Sequence, residues 1–311
     1  MSRIEKPRQR IVLNRLLTST DANDIDGFLQ KERRILGRFL GSNEVIGCYG
    51  DCVSVERGVF KYSLLLEYAP KGSLLNLMKD YGGRGPESHV RKYTQMLLKG
   101  LSCIYYNGHV HCDLKLANIL VFPCRDHGVK GHHLKIADFG LAREPGEDDS
   151  DKLLHMYQYR GTPCYMSPES VQFVEITSAL DIWSLGCIAV EMIKGRIAWV
   201  TLDSKELFNK LVRGNESPMI PENMPEKGKD FLRGCFERDH CERWSADSLL
   251  THSFILDELL PPVETKTGEL SSSHIDAVTP INSLPYTFLT LIPSSNTVER
   301  GKEGRKSGWI S

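Results

Sequence analysis

Two short stretches decide how this sequence is interpreted: residues 110–120, which read VHCDLKLANIL, and residues 135–140, which read KIADFG. In the first stretch an aspartate, a lysine and an asparagine lie close together before an apolar run. In the second, an apolar pair leads into an aspartate, and a glycine follows two residues later. Carboxylate and amide oxygens are the hard ligands that Mg²⁺ prefers. The two stretches together therefore indicate chemistry on a metal-bound phosphate.

The order and spacing of these residues resemble the catalytic and metal-binding loops of protein kinases. The resemblance implies that Asp113 is the catalytic base, which accepts or orients the proton of the substrate hydroxyl. Lys115 would neutralise the γ-phosphate, and this Asp-x-Lys pairing is the form found in kinases of serine and threonine. Asn118 and Asp138 would each give an oxygen to Mg²⁺. An ordinary polar loop is the alternative, and the ordered set of motifs argues against it.

The residues next to these four extend the resemblance. By analogy with protein kinases, His111 is structural and stacks under Phe139, Phe139 is a switchable apolar plug, and Gly140 permits the following turn. Cys112 departs from the pattern, because most regulated kinases have an arginine there that holds a phosphate on the activation segment. A cysteine cannot hold a phosphate in that way. Cysteine at this position is similar to plant kinases of the MAP kinase kinase kinase group.

Residues 161–169, GTPCYMSPE, resemble the kinase segment that docks the protein substrate and ends in Ala-Pro-Glu, here Ser-Pro-Glu. The resemblance implies that Thr162 hydrogen-bonds toward the catalytic aspartate and lysine. Glu169 should form a buried ion pair with Arg243, which is costly to break from one side. Asp181 should hydrogen-bond the backbone of the catalytic loop and hold it rigid.

Residues 63–74, SLLLEYAPKGSL, read as a buried strand that becomes polar and then breaks at proline and glycine. This stretch resembles the hinge of a kinase, with Leu66 as the gatekeeper. Glu67 and Ala69 would then offer backbone groups to the adenine of ATP. A core strand that ends in a turn is a compatible interpretation, because a hinge uses its backbone rather than its side chains.

A helix is predicted from Phe28 onward by apolar residues at helical spacing. Glu32 in this helix resembles the kinase glutamate that pairs with a strand lysine bound to the nucleotide phosphates. A solvated helix carboxylate is an equally good interpretation. If residues 11–16 form a strand, Arg15 falls near the place of that lysine, and arginine does not substitute cleanly. We therefore interpret Arg15 as an exposed basic residue.

No G-x-G-x-x-G pattern precedes Glu32, and the first glycine of the chain is Gly27. Too little chain precedes Glu32 for the two strands of a glycine-rich loop. Two explanations stay open. The chain is an N-terminally truncated version or gene model of an active kinase, or it is a natural protein with weakened nucleotide binding.

Between the two deciding stretches lies an insert, residues 123–133, which reads PCRDHGVKGHH. Its histidines and cysteine could suggest zinc, but no pair has ligand spacing on a defined scaffold. A polar hairpin loop between strands is the better interpretation.

Composition indicates a soluble intracellular protein. The formal net charge of −1 argues against a dedicated binder of nucleic acid or anionic membranes. The nine cysteines contain no C-x-x-C pair, and the ten histidines show no metal pattern, so a reduced interior is expected. Neither a secretory signal nor an apolar run long enough to span a bilayer is visible. We expect a cytoplasmic location, with the nucleus as a second site.

We therefore predict an α+β, bilobal protein-kinase fold with a complete, mainly helical C-terminal lobe and a truncated, β-rich N-terminal lobe. Residues 1–26 stay unassigned apart from a remnant of the third strand, residues 27–258 form the kinase domain, and residues 259–311 form a disordered Ser/Thr/Pro-rich tail. The expected activity uses ATP and Mg²⁺ to phosphorylate serine or threonine of a protein, by analogy a MAP kinase kinase, and the expected state is a monomer. The alternative is a pseudokinase that binds proteins without turnover.

Overall fold

A computed structural model of the protein describes residues 10–16, 27–57, 59–126, 129–147, 160–199 and 204–256. The predicted tail at residues 259–311 lies outside the described residues, and so does most of the segment before residue 27. Side chains of residues 10–16 are also outside the description, so the prediction for Arg15 stays a prediction.

The described chain is mixed α+β. Its strands are β1 (Arg10–Leu16), β2 (Cys48–Glu56), β3 (Val59–Glu67), β4 (Ile119–Asp126) and β5 (Val129–Ile136). Its helices are α1 (Gly27–Arg38), α2 (Leu74–Asp80), α3 (Glu87–Tyr106), α4 (Pro168–Gln172), α5 (Ser178–Lys194), α6 (Ser204–Phe208), α7 (Glu226–Cys235), α8 (Ala246–Leu250) and α9 (Ser253–Leu256). A π-helical turn, Asn209–Arg213, follows α6. The predicted fold class is confirmed.

The first three strands form an antiparallel sheet in the order β1-β3-β2. The central strand β3 buries Leu64, and α1 buries Ile35 and Leu36 in the same hydrophobic core. The sequence predicts a strand over residues 45–52, but β2 begins at Cys48. The reason is that the preceding residues pair elsewhere: the Ile46 N–H donates to the Ile136 carbonyl at 3.0 Å.

The helical part is built around α3 and α5. Apolar residues at helical spacing from Val90 to Ile104 predict a buried stripe on α3, and this stripe is buried. The helix α5 is buried on every side along most of its length, as its apolar sequence predicts. The helix α5 ends at Gly195, whose φ of 71° is the left-handed conformation that glycine adopts readily. None of the described helices is long and apolar enough to cross a bilayer.

The insert predicted as a polar hairpin is the β4–β5 hairpin, in which Ile119 pairs with Ile136 and Asp126 with Val129. Its base controls the position of two predicted metal ligands. The Ala137 N–H, just beyond β5, donates to the Asn118 carbonyl, just before β4, at 2.9 Å. Asn118 and the residue after Ala137 are therefore neighbours in space, although the whole hairpin separates them along the chain.

Candidate active site

One buried carboxylate holds the catalytic loop. Asp181, in the first turn of α5, is fully buried and accepts hydrogen bonds from the N–H groups of His111 at 2.8 Å and Cys112 at 2.9 Å. Burial raises the pKa of the Asp181 carboxyl, and His111 and these hydrogen bonds oppose the rise. Cys112 has a φ of 67°, where a non-glycine residue is strained. Asp181 therefore fixes the loop in a conformation that the backbone alone disfavours.

Three side chains close a hydrogen-bonded triangle at the predicted catalytic base. The Lys115 ammonium donates to Asp113 Oδ2 at 2.7 Å and to Thr162 Oγ1 at 2.8 Å. The Thr162 hydroxyl donates to Asp113 Oδ1 at 2.7 Å. The carboxylate is nearly buried, while Lys115 is partly exposed. The structure thus brings the predicted base, the predicted phosphate-binding lysine and the docking segment into direct contact.

Asn118 links this triangle to the second acidic residue. Its amide nitrogen donates to the Asp113 carbonyl at 2.9 Å and to Asp113 Oδ2 at 3.2 Å. Because the nitrogen makes both contacts, the amide oxygen remains as a possible metal ligand. Asp138, next to Ala137, has a φ of 68°, and within the described residues its carboxylate forms no ion pair. An amide and a carboxylate oxygen fit the coordination of Mg²⁺.

The Phe139 side chain is fully buried between two rings, and its backbone N–H is bound by a side chain of α1. Its ring lies 4.9 Å from the His111 ring, edge to face, and 5.8 Å from the Phe39 ring. Its N–H donates to Glu32 Oε1 at 3.2 Å. Glu32 is only 1% exposed, so the alternative of a solvated helix carboxylate is wrong. Gly140 follows in a buried turn.

Ion pairs join the exposed side of α1 to the segment after Gly140. Lys31 Nζ lies 2.7 Å from Glu147 Oε2, and Arg34 Nε donates to Glu144 Oε1 at 3.0 Å. Arg160, on the far side of the segment, also donates to Glu147. Burial pushes the pKa of Glu147 up, but the hydrogen bonds from Arg160 and Lys31 prevail and lower it to about 2. Two acidic residues thus fasten the segment to the helix.

The predicted hinge lies at the end of β3. Leu66 is buried, and the Glu67 N–H donates to the Gly47 carbonyl at 2.8 Å. The Glu67 carboxylate pairs with Lys135 of β5 at 2.8 Å, so the side chain ties the hinge to the hairpin. The Ala69 carbonyl accepts from the Gly72 N–H at 3.1 Å and forms the predicted turn. Any adenine contact from Glu67 would have to use its carbonyl.

A bidentate ion pair anchors the end of the docking segment. The Arg243 guanidinium donates to the two oxygens of Glu169 at 2.6 and 2.9 Å, and both residues are buried. Arg243 also donates to the Ala179 carbonyl at 2.8 Å and packs over the Trp183 ring at 5.2 Å. This pair connects the end of the docking segment to the loop between α7 and α8.

Comparison with known proteins decides the family. A family model described as "Protein kinase domain" matches residues 3–255. The chain belongs to the protein kinase family. It is similar to mitogen-activated protein kinase kinase kinase 20 of Arabidopsis thaliana, with 45% identity over 245 residues, which are 78% of this chain and 69% of that protein. The predicted resemblance to plant kinases of this group is confirmed.

Two further relatives from the same plant show similar coverage. Mitogen-activated protein kinase kinase kinase 17 is 38% identical over 233 residues, 73% of this chain and 59% of that protein. Mitogen-activated protein kinase kinase kinase 18 is 37% identical over 257 residues, 79% of this chain and 70% of that protein. The similarity therefore covers most of this kinase chain but leaves a substantial part of each relative unmatched.

The structure adds residues to this kinase site that sequence reasoning missed. Gly161 has a φ of 117°, and a Cβ built on it would lie 2.6 Å from the Cys112 carbonyl oxygen, so only glycine fits. Tyr165 donates its hydroxyl to Glu191, and Ser184 donates to the Tyr165 carbonyl at 2.8 Å. The available signal was Glu191, a glutamate within the buried apolar run of α5 from Ile188 to Met192.

A cavity of about 810 Å³ lies beside the hinge and does not include the Asp113–Lys115–Thr162 triangle in its lining. It is lined by the hinge and the β4–β5 hairpin, including Glu67, Tyr68, Phe122 and Lys135. Neither the catalytic loop nor Asp138 contributes to its wall. The cavity is therefore separate from the catalytic residues of the candidate active site.

Proposed function

We propose that this chain transfers the γ-phosphoryl group of ATP to serine or threonine side chains of a protein. The contact among Asp113, Lys115 and Thr162 is the observation that supports this most directly. A carboxylate for the hydroxyl, a cation for the phosphate and a hydroxyl from the docking segment meet within 2.8 Å of one another. This combination suits transfer to an aliphatic hydroxyl.

The roles of the residues follow from their atoms. When bound, MgATP supplies the phosphoryl group and a metal that neutralises charge on the phosphates. Asn118 and Asp138 would hold the metal through their side-chain oxygens. Asp113 would orient the incoming hydroxyl and accept its proton. Lys115, already 2.7 Å from Asp113, would face the γ-phosphate.

The proposed protein substrate is a MAP kinase kinase. The support is the names of the relatives, which are mitogen-activated protein kinase kinase kinases. We also propose that the chain works as a monomer in the cytoplasm, with the nucleus as a second location. The proposed location is supported by composition, and both proposals are independent of the site.

The test uses the purified full chain. We expect Mg²⁺-dependent ATP binding by calorimetry and transfer of labelled phosphate to a purified MAP kinase kinase. Asp113→Asn should lower transfer by about 10²- to 10⁴-fold, as the loss of a general base does, and should leave ATP binding measurable. Asp80→Asn, at an exposed aspartate at the end of α2, is the matched control and should transfer at the normal rate.

Two results would contradict the proposal. A chain that neither binds ATP nor transfers phosphate would support the alternative of a protein-binding module. Equal transfer by the normal chain and by Asp113→Asn would place the chemistry elsewhere.

A further inference from the structure

A group of metal-ligand side chains lies on the surface in the loop between α7 and α8, away from the candidate active site. Asp239, His240 and Cys241 each present one ligand atom, and the three atoms lie within 4.8 Å of one another. His240 Nε2 lies 3.4 Å from Cys241 Sγ. The same nitrogen lies 3.2 Å from Glu175 Oε1, in the segment between α4 and α5, although Glu175 is not one of the three residues whose ligand atoms all lie within 4.8 Å of one another.

These separations match the edges of a metal coordination tetrahedron. Zinc binds nitrogen and oxygen at about 2.0–2.2 Å and sulfur at about 2.3 Å, so the ligand atoms of a tetrahedral site lie about 3.3–3.6 Å apart. The His240–Cys241 separation of 3.4 Å and the His240–Glu175 separation of 3.2 Å are close to that range. The ligand atoms of Asp239, His240 and Cys241 thus lie close enough to converge on one ion when their side chains rotate.

The backbone of this loop is already fixed. The Cys241 N–H donates to Asp239 Oδ1 at 2.9 Å, and the Arg243 N–H donates to the Asp239 carbonyl at the same distance. The second carboxylate oxygen of Asp239 is left for a ligand role. Because the adjacent Arg243 is anchored on buried Glu169, a metal would bind to a preformed loop and would not have to order one.

The carboxylates of the group lack a neutralising partner of fixed charge. Within the described residues, neither Asp239 nor Glu175 forms an ion pair with a lysine or arginine. The two arginines of the loop point elsewhere: Arg238 donates to backbone carbonyls, including that of Leu211 at 2.7 Å, and Arg243 binds Glu169. A divalent cation would supply the missing positive charge.

We propose that Asp239, His240 and Cys241 bind a Zn²⁺ ion at the surface of the protein, and that Glu175, which contacts His240, turns toward the ion as the fourth ligand. The mixed sulfur, nitrogen and oxygen set selects zinc over Mg²⁺ or Ca²⁺, which take oxygen ligands. Such an ion would join the segment between α4 and α5 to the loop between α7 and α8. The carbonyl of Ile176, next to Glu175, accepts a hydrogen bond from Arg143 at 2.8 Å. The metal site would therefore adjoin the segment after Gly140.

The test measures Zn²⁺ binding by the full chain in competition with a chromophoric chelator, under reducing conditions. We expect one equivalent to bind, and Cys241→Ser to weaken that binding by at least about 10- to 100-fold, the loss that even outer-shell changes produce. Glu175→Gln should weaken it less. The matched control is Cys52→Ser, which removes the exposed cysteine of β2 and should bind zinc normally.

Cobalt substitution provides a readout that a merely structural role would not change. The Co²⁺-loaded chain should show a thiolate-to-cobalt charge-transfer band that Cys241→Ser lacks. All four side chains are at least partly exposed, so the variants should fold, and circular dichroism would verify this. The proposal would be overturned if Cys241→Ser and the normal chain bind zinc with equal affinity, or if bound cobalt shows no thiolate band.

Discussion

Asp181 and Glu32 both use buried carboxylates to hold main-chain N–H groups. Asp181 fixes the strained turn at Cys112, and Glu32 fixes the backbone at Phe139. Sequence reasoning placed Asp181 correctly through the family resemblance, but it left Glu32 open between two interpretations. It missed Glu191 altogether, because a helix pattern shows that a polar residue interrupts an apolar face but not which partner it meets.

Glu191 gives a prediction at this scale. Burial raises its pKa from 4.5 to about 7, although the Tyr165 hydrogen bond opposes the rise. The folded state therefore holds a proton between about pH 4.5 and 7 that the unfolded state releases, so stability falls as pH rises through this window. We expect the Glu191 carboxyl to reduce the free energy of unfolding by about 3 kcal/mol between pH 4.5 and 7.

The measurement compares urea unfolding of the normal chain and Glu191→Gln at several pH values from 5 to 8. Glutamine keeps an acceptor for Tyr165 but does not titrate, so the difference between the two curves isolates Glu191. Parallel stability curves over this range would contradict the prediction.

At the scale of elements, periodicity predicted the regular structures and failed at their junctions. The stripe of α3, the buried α5 and the β4–β5 hairpin follow from local spacing. The late start of β2 does not, because residues 44–46 pair with the end of β5, far along the chain. The close approach of Gly161 to Cys112 is also a long-range contact, and one glycine among 26 gives no local sign of it.

The variant Gly161→Ala tests the close approach of Gly161 to Cys112. A Cβ 2.6 Å from a backbone oxygen cannot be accommodated by a side-chain rotation, and alanine disfavours a φ of 117°. We expect a loss of about 1–3 kcal/mol in the free energy of unfolding. If the proposed function is right, phosphate transfer should fall further than stability explains, because the docking segment carries Thr162.

The control is Gly131→Ala in β5, where a new Cβ meets nothing within 4 Å. It should change neither unfolding nor transfer. A Gly161→Ala protein with normal stability and transfer would show that the segment tolerates displacement.

At the scale of the whole molecule, function depends on loops that the sequence separates widely. The Glu169–Arg243 pair joins the docking segment to the loop after α7, and the family resemblance made this pairing predictable. The proposed zinc ligands of that same loop were not predictable. Three adjacent residues lack the spacing of a metal motif, and only the fold brings Glu175 beside them.

The buried pair gives the prediction at this scale. Arg243→Met leaves the Glu169 carboxylate buried without its partner, and we expect a loss of about 3–5 kcal/mol in the free energy of unfolding. Adding Glu169→Gln should recover part of the loss, because the stranded charge is removed. Arg233→Met breaks an exposed pair with Glu226 and should change stability little in the same denaturation experiment.

The ion pairs between α1 and the segment after Gly140 have a consequence for control. Lys31, Arg34 and Arg160 already meet the native carboxylates of Glu144 and Glu147, and Cys112 offers no guanidinium for an added anion. The carboxylates of Glu144 and Glu147 thus already supply the negative charge that holds α1 to this segment. We expect phosphatase treatment to leave the position of α1 unchanged. Concentrated salt should loosen the contact of α1 with the segment, because it screens these ion pairs.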